Sequence, residues 1–430
     1  MSYSTIILFR SRYGQSRLWE FQAVAEYLYP NHSFQWGWNE TAQLYYGGDY
    51  GPSIVQKLPD SLTAEQWSDV AVRCIGCKSV FQVVGEGVTL ADCIADVGRW
   101  SDHDILKLVP DTWSMQIEHL GKMQRLHPKE RRIQIEQFRD VLGILTTRKV
   151  DLESPDTELV LLKDCRSLED IDPSTDRQAT HYHWLLKRIK ATKYPSAKIL
   201  FERSDVKKRA FISTTTMPAD RALLMANLAG VQQGNVVLDP FCGSGGLLIA
   251  SALLGASTVG ADIDDALLSF TDRVLPFPHS PHRPKRGVER VSYGDSFLEL
   301  GLDEPILLPG LDIQSASFVS RVLQANDGQK YDAIVTDPPY GIRESTSQMS
   351  NLELVGVLAK VAQSVLKPSG RLVFLQVIKG DSDNVEHRRL ALYEELQPIL
   401  QTYRLDLKHL VLEKFNTQNL RATVVVEKQG

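Results

Sequence analysis

The chain has 430 residues, 43% of them hydrophobic and 23% charged, and a formal net charge of −5 from 48 basic and 53 acidic side chains. These are ordinary values for a soluble globular protein of two or three domains with a sizeable core. A chain of this balance is not basic overall, so any contact with nucleic acid would have to come from a local basic surface. The five cysteines (Cys74, Cys77, Cys93, Cys165 and Cys242) lie too far apart to suggest a regular disulfide framework, which points to a reducing compartment and a cytoplasmic location.

The first residues, MSYSTIILFRSRYG, lack the basic start, long apolar run and small-residue cleavage site of a signal peptide. Ile6 to Phe9 reads as a strand and Ser16 to Tyr29 as an amphipathic helix. Cys74 and Cys77 form a lone C-x-x-C with no second pair at zinc spacing, so they read as buried packing residues. Ser114 to His119 is expected as a strand with alternating faces, Lys129 to Leu145 as a helix and Leu159 to Leu162 as a short strand. Basic residues then cluster: Lys187, Arg188, Lys190, Lys193, Lys198, Arg203, Lys207, Lys208 and Arg209, with Lys129, Arg131 and Arg132 as a smaller group. The bland reading is a solvated helix face; clustering in an otherwise acidic chain favours phosphate contact.

From Pro218 the pattern becomes regular. Helix Ala219–Leu228 leads to strand Asn235–Leu238, helix Gly246–Leu254, strand Ser257–Ala261, strand Ala333–Thr336, helix Leu352–Leu366, the turn KPSG and strand Arg371–Val377. Such alternation predicts a doubly wound, mostly parallel α/β sheet covered on both faces. Lys408–Glu413 and Arg421–Glu427 predict a C-terminal antiparallel hairpin. Pro240 to Ala261 carries no charge over about the length of a membrane span, but it opens on a glycine turn and so reads as a buried strand, loop and helix, with no membrane association. Leu275–Gly287 and Asp303–Gln329 read as loops, the second with a short helix; His279 and His282 have no further ligand beside them.

Four motifs carry chemistry. In VVLDPFCGSGG an apolar strand ends in Asp239, and Gly243-Ser244-Gly245-Gly246 opens a helix; Phe241 lies within the turn. A doubly wound sheet binds nucleotide-like cofactors at such a turn, where glycine lets backbone approach ligand. Neither the P-loop nor the G-x-G-x-x-G spacing is present. In VGADID, Asp262 ends the next strand and suits ribose hydroxyls, while Asp264 suits a helix cap. In SYGDSF, Asp295 suits an adenine amino group, though a turn aspartate reads the same way. In IVTDPPYGIRES, Asp337-Pro338-Pro339-Tyr340 follows an apolar strand: the prolines fix carbonyl directions and the aromatic stacks on a planar base.

DPFCGSGG together with DPPYGIRES resembles the class I amino-methyltransferases. With KKRAFISTTTMPADRALLMANLAG upstream, the chain is more closely similar to the eukaryotic and archaeal tRNA guanine-10 N2-methyltransferases, catalytic subunit, over roughly Lys207–Leu268 and Tyr331–Gly430. RCIGCKSVFQVVGEGVTLADC and DTWSMQIEHLG resemble the ferredoxin-like and THUMP segments of that family; Ser244 stands where it usually has threonine. The resemblance implies three units: ferredoxin-like 1–100, THUMP-like 101–200 and methyltransferase 205–430. It implies S-adenosylmethionine as cofactor, held by Asp239, Phe241, Gly243, Ser244, Gly245, Asp262 and Asp295. Asp337, Pro338, Pro339 and Tyr340 are expected to be catalytic. Lys187, Arg188, Lys190, Lys207, Lys208 and Arg209 are the expected tRNA contacts. It further implies a small zinc-containing activator subunit as partner, docked on an edge strand expected at Val288–Tyr293, and no metal in this chain. Three alternatives stay open: a guanine-N2 enzyme for another tRNA position or RNA, a DNA adenine-N6 or cytosine-N4 methyltransferase, and an RNA-binding module with a decayed fold.

Overall fold

The computed structural model describes residues 4–10, 16–36, 55–120, 127–164, 182–191, 197–206, 209, 216–265, 268, 293–339, 350–380 and 385–430. The first half carries strands β1 (Thr5–Phe9), β2 (Val55–Lys57), β3 (Cys77–Gly87), β4 (Trp113–Leu120), β5 (Thr157–Asp164) and β6 (Tyr182–Ile189), in the order β2-β1-β3-β6-β5-β4. Helices α1 (Ser16–Leu28), α2 (Ala64–Arg73), α3 (Leu90–Val97), α4 (Asp102–Leu108) and α5 (Pro128–Glu136) accompany it. Sequence puts the boundaries where they fall: Thr63 caps α2, with Gln66 reaching back to the cap backbone, and Thr89 with Asp92 does the same for α3.

The expected helix Lys129–Leu145 is shorter than its pattern. Helix α5 ends at Glu136 and the chain goes on through turns into a 3-10 segment, Gly143–Thr147. Phe138, Leu142 and Leu145 are buried at helical spacing, which is what the periodicity registers, although the regular helix has already ended at Glu136.

After α6 (Ala197–Ser204) comes a seven-stranded sheet: β7 (Val236–Asp239), β8 (Ser257–Asp262), β9 (Ile306–Pro309), β10 (Tyr331–Thr336), β11 (Leu366–Lys379), β12 (Leu405–Lys414) and β13 (Asn419–Lys428), ordered β12-β13-β11-β10-β7-β8-β9. All pairings are parallel except β11–β13 and β12–β13. Helices α7 (Ala219–Leu228), α8 (Gly246–Leu253), α9 (Asp295–Leu298), α10 (Phe318–Ala325), α11 (Asn351–Val365) and α12 (Val385–Thr402) belong to this half. One face of the sheet packs with α11 and α12 through Leu358, Ala362 and Leu396, the other with α7 and α8 through Leu224, Met225 and Ala250. From β7 the chain winds outward through β8 to β9, then returns to β10 on the other flank. That reversal opens a crevice at the strand ends of β7 and β10.

Among the described residues the sheet ends at β12 on one side and at β9 on the other, β9 lying within the stretch expected as loop; of the edge strand expected at Val288–Tyr293 only Tyr293 is described, and it is buried, while the rest lies outside the described residues. A four-residue edge strand has too few residues to show a period. The KPSG turn lies inside β11, which begins at Leu366; the turn survives as a register shift opposite Tyr331–Ala333 and a positive φ of 59° at Ser369.

Buried polar contacts join the two halves. Glu20 accepts hydrogen bonds from the backbone N–H of Ile75 and Gly76 (2.9 Å each) and from Asn227 Nδ2 (2.7 Å). Asn227 also donates to the Arg73 carbonyl (3.0 Å), and Arg73 donates to the Val231 carbonyl (2.9 Å). Trp19 stacks on His409 with ring centroids 4.4 Å apart. Cys74 and Cys77 are buried free thiols packed in the first core, as a packing role requires. Among the described residues no helix is long and apolar enough to cross a membrane.

Candidate active site

Strand β7 lies between β10 and β8, so the residues leaving it are held on two sides. Asp239 ends the strand and is 1% exposed. Its Oδ1 accepts from Thr336 Oγ1 (2.7 Å) at the end of β10 and from the Phe241 backbone N–H (3.1 Å). Asp239 thereby clamps the glycine turn to the strand that carries Asp337. Burial pushes its carboxyl up to about 7, against the two hydrogen bonds and helped by the charges of Asp262 and Asp337.

The turn itself is shaped by Gly243 at φ 50° and Gly245 at φ 81°. A Cβ at Gly245 would lie 2.5 Å from Tyr293 Oη, so only glycine fits. Among the described residues a Cβ at Gly243 would meet nothing within 4 Å, so that side of the turn is open to them. Cys242 N–H binds the Ala261 carbonyl (3.0 Å) and fixes the turn to β8. Asp262, at the end of β8, accepts from Gly243 N–H (2.9 Å) and Asp264 N–H (2.9 Å); burial raises its carboxyl. Asp295 heads α9, half-buried. Ser244 instead turns inward, 2.7 Å from Thr216 Oγ1. Phe241 is half-buried against the sheet core. Open space at a glycine turn, with a carboxylate ending the adjacent strand, fits a nucleotide-like cofactor.

Asp337 and Pro339 are half-buried and Pro338 buried, directly after β10. Tyr340 lies outside the described residues. Pro338 and Pro339 line a cleft with Asn351, Leu354, Val355 and Gln376. Gln376, 5% exposed, has an amide oxygen with no hydrogen-bond partner among the described residues. Thr336, Thr216 and Gln376 were not singled out from sequence. Thr336 is the one with a signal, a lone hydroxyl ending an apolar strand.

The expected phosphate contacts divide. Arg188 lies on β6, not a helix; it pairs with Glu118 and with Glu158 (3.1 Å) and covers the Phe81 ring at 4.9 Å. Its charge is spent inside the sheet. Lys187 donates to the Leu108 carbonyl (2.7 Å), and burial lowers its ammonium. Lys190 is exposed, with Nζ 2.6 Å from the Pro155 carbonyl. Lys207 and Lys208 lie outside the described residues. Arg209 is 4% exposed, beside the first residue of α8 rather than on a surface.

The strand order, with a glycine turn after β7 and Asp-Pro-Pro after β10, defines a class I methyltransferase domain. The family described as RMKL-like, methyltransferase domain, matches residues 207–271 and 311–391. In sequence the chain is similar to tRNA (guanine(10)-N(2))-methyltransferases. The chain is 30% identical over 298 residues to TRMT11 of Rattus norvegicus, covering 68% of this chain and 58% of the relative. It is 29% identical over 314 residues to TRMT11 of Homo sapiens, covering 70% and 62%. It is 26% identical over 299 residues to the Saccharomyces cerevisiae enzyme, covering 68% and 60%. The chain thus spans less than two thirds of the length of these relatives. Among solved structures, TrmN from Thermus thermophilus matches over 99% of both chains at 16% identity and a TM-score of 0.43.

Proposed function

We propose that this chain transfers the methyl group of S-adenosylmethionine to the exocyclic N2 amino group of a guanine in tRNA, guanine-10 by analogy with its relatives. The observation that carries the reading is the placement of Asp337-Pro338-Pro339 beside the glycine turn, clamped by the Asp239–Thr336 hydrogen bond. When bound, S-adenosylmethionine supplies an electrophilic methyl group. Asp262 would hold its ribose hydroxyls and Asp295 its adenine amino group, with the backbone of Phe241 to Gly245 lining the crevice and Ser244 supporting the turn from behind. The guanine amino group is a poor nucleophile because its lone pair is delocalised into the ring. The Asp337 carboxylate and Pro338 carbonyl accept its two N–H groups and draw the nitrogen toward tetrahedral geometry. Tyr340 stacks on the base and holds it for in-line attack, in which the methyl–sulfur bond of the donor breaks as the N–C bond forms and the methylated amino group then loses its extra proton to solvent. The base leaves its stack to reach this depth.

The same Asp-Pro-Pro-Tyr arrangement serves adenine N6 and cytosine N4, so the N-terminal half decides for tRNA in our reading: ferredoxin-like 1–100 and THUMP-like 101–200 precede the methyltransferase unit 205–430. Lys190, Lys207 and Lys208 are the cations we assign to phosphate. A small zinc-containing activator is the proposed partner, in the cytoplasm. Among the described residues β9 pairs only with β8, and Ile306 on it is 51% exposed; an open edge accepts a strand from another chain. Asp337→Ala tests the chemistry. Methyl transfer from tritiated donor should fall roughly a hundred- to a thousandfold with donor binding retained. Turnover near the wild-type rate would remove Asp337 from the reaction.

A further inference from the structure

A cavity of about 400 Å³ lies where the two halves meet, and neither the glycine turn nor Asp337-Pro338-Pro339 lines it. One wall comes from the end of β1, from α2, β3 and the end of β6, the other from α6 and α7. Sites for small molecules fall in this range of size, roughly 300–1,000 Å³, and favour junctions between domains.

The two walls carry opposite charge. On the first, Arg10 follows β1, is exposed, and donates from Nε to the Cys77 carbonyl at 2.9 Å, which fixes the direction of its guanidinium. Among the described residues Nη1 and Nη2 have no acceptor and the charge no acidic partner. Lys78, one residue beyond Cys77, keeps Glu118 as its partner at 2.6 Å. The second wall presents the carboxyl groups of Glu202 on α6 and Asp220 on α7, with Lys198 reaching Glu202 at 3.7 Å. Apolar surface lies between: Ile75, Ile189 and the ring of Phe201, which is half-buried against the core of the second sheet.

We infer that this cavity binds a nucleotide whose base carries an exocyclic amino group, with its phosphate on Arg10 and the amino group turned to Glu202 and Asp220. A guanidinium with both tips open matches two phosphate oxygens with parallel N–H donors. Ionised carboxylates only accept, so the opposite wall calls for N–H donors on the ligand. The space between calls for a flat body that stacks on an aromatic ring. Nucleotides of cytosine, adenine and guanine meet all three demands. Uridine does not, because its O4 would face the carboxylates. An unpaired nucleotide of an RNA strand and a free nucleotide offer the same groups. The site is separate from the methyl-transfer site and does not depend on that reading.

The test is equilibrium dialysis of radiolabelled cytidine monophosphate and uridine monophosphate against the full chain, with S-adenosylhomocysteine in excess to occupy the glycine turn. The cytidine nucleotide should bind at least about tenfold more tightly, the worth of one charge-assisted hydrogen bond. Arg10→Gln should weaken both nucleotides by roughly ten- to a hundredfold. Glu202→Gln combined with Asp220→Asn, which leaves Arg10 in place, should bring the cytidine nucleotide down to the level of the uridine one. Unmodified tRNA that displaces the cytidine nucleotide assigns the site to an RNA strand, and tRNA that does not assigns it to a free nucleotide; both results keep the inference. No binding of the cytidine nucleotide, equal binding of the two, or binding indifferent to Arg10→Gln overturns it. Methyl transfer to tRNA, followed in the same preparations, shows that each variant is folded and separates a failure of this inference from a failure of the proposed reaction.

Discussion

Gly243 and Gly245 are both left-handed, yet they do different things. Gly243 leaves the side of the turn open; Gly245 lets the buried Tyr293 hydroxyl reach the backbone. Alanine at Gly245 meets both the φ penalty and Tyr293, so we expect a loss of about 1–3 kcal/mol and weaker donor binding. Thermal melting and calorimetry of Gly245→Ala check this; a variant with unchanged melting and affinity would show that Tyr293 can move away at no cost. At this scale the motifs Asp239, Gly243, Asp262 and Asp337 were legible because each ends a strand or opens a turn. Arg209 was misread. Its neighbours Lys207 and Lys208 make it look like part of a basic surface, and local charge density says nothing about burial. Arg188 failed the same way: its partners Glu118 and Glu158 come from strands distant in sequence.

Among the elements, α1 is held by one carboxylate. Glu20 ties it to the turn after α2 and to α7, and burial raises its carboxyl from 4.5 to about 7 despite three hydrogen bonds and the Arg73 charge. Folded protein holds this proton more tightly than unfolded chain does. The contribution is therefore complete below about pH 4.5 and is lost as pH rises to about 7. The stability advantage of wild type over Glu20→Gln should accordingly shrink across that window, by up to about 3 kcal/mol. Urea unfolding at the two ends of the window measures it, and a difference that stays constant with pH would contradict the account. The strands and helices after Pro218 were legible because parallel strands buried on both faces give unbroken apolar runs. Strands β3 and β6 were not singled out; their partners lie about a hundred residues apart, as in Val83↔Leu186. Edge strand β9 was hidden by its length.

For the whole molecule, the two sheets are bound by Glu20–Asn227, Arg73–Val231 and Trp19–His409, contacts that no local pattern announces. They hold the N-terminal half against α7 and β12 of the methyltransferase domain. The central claim is the reaction itself. Incubating the chain, with its proposed activator, with donor carrying a deuterated methyl group and unmodified tRNA, then digesting the tRNA to nucleosides for mass spectrometry, reads the product directly. The account predicts deuterated N2-methylguanosine, absent with Asp337→Ala. Label on adenosine or cytidine, or no label in tRNA at all, would contradict it.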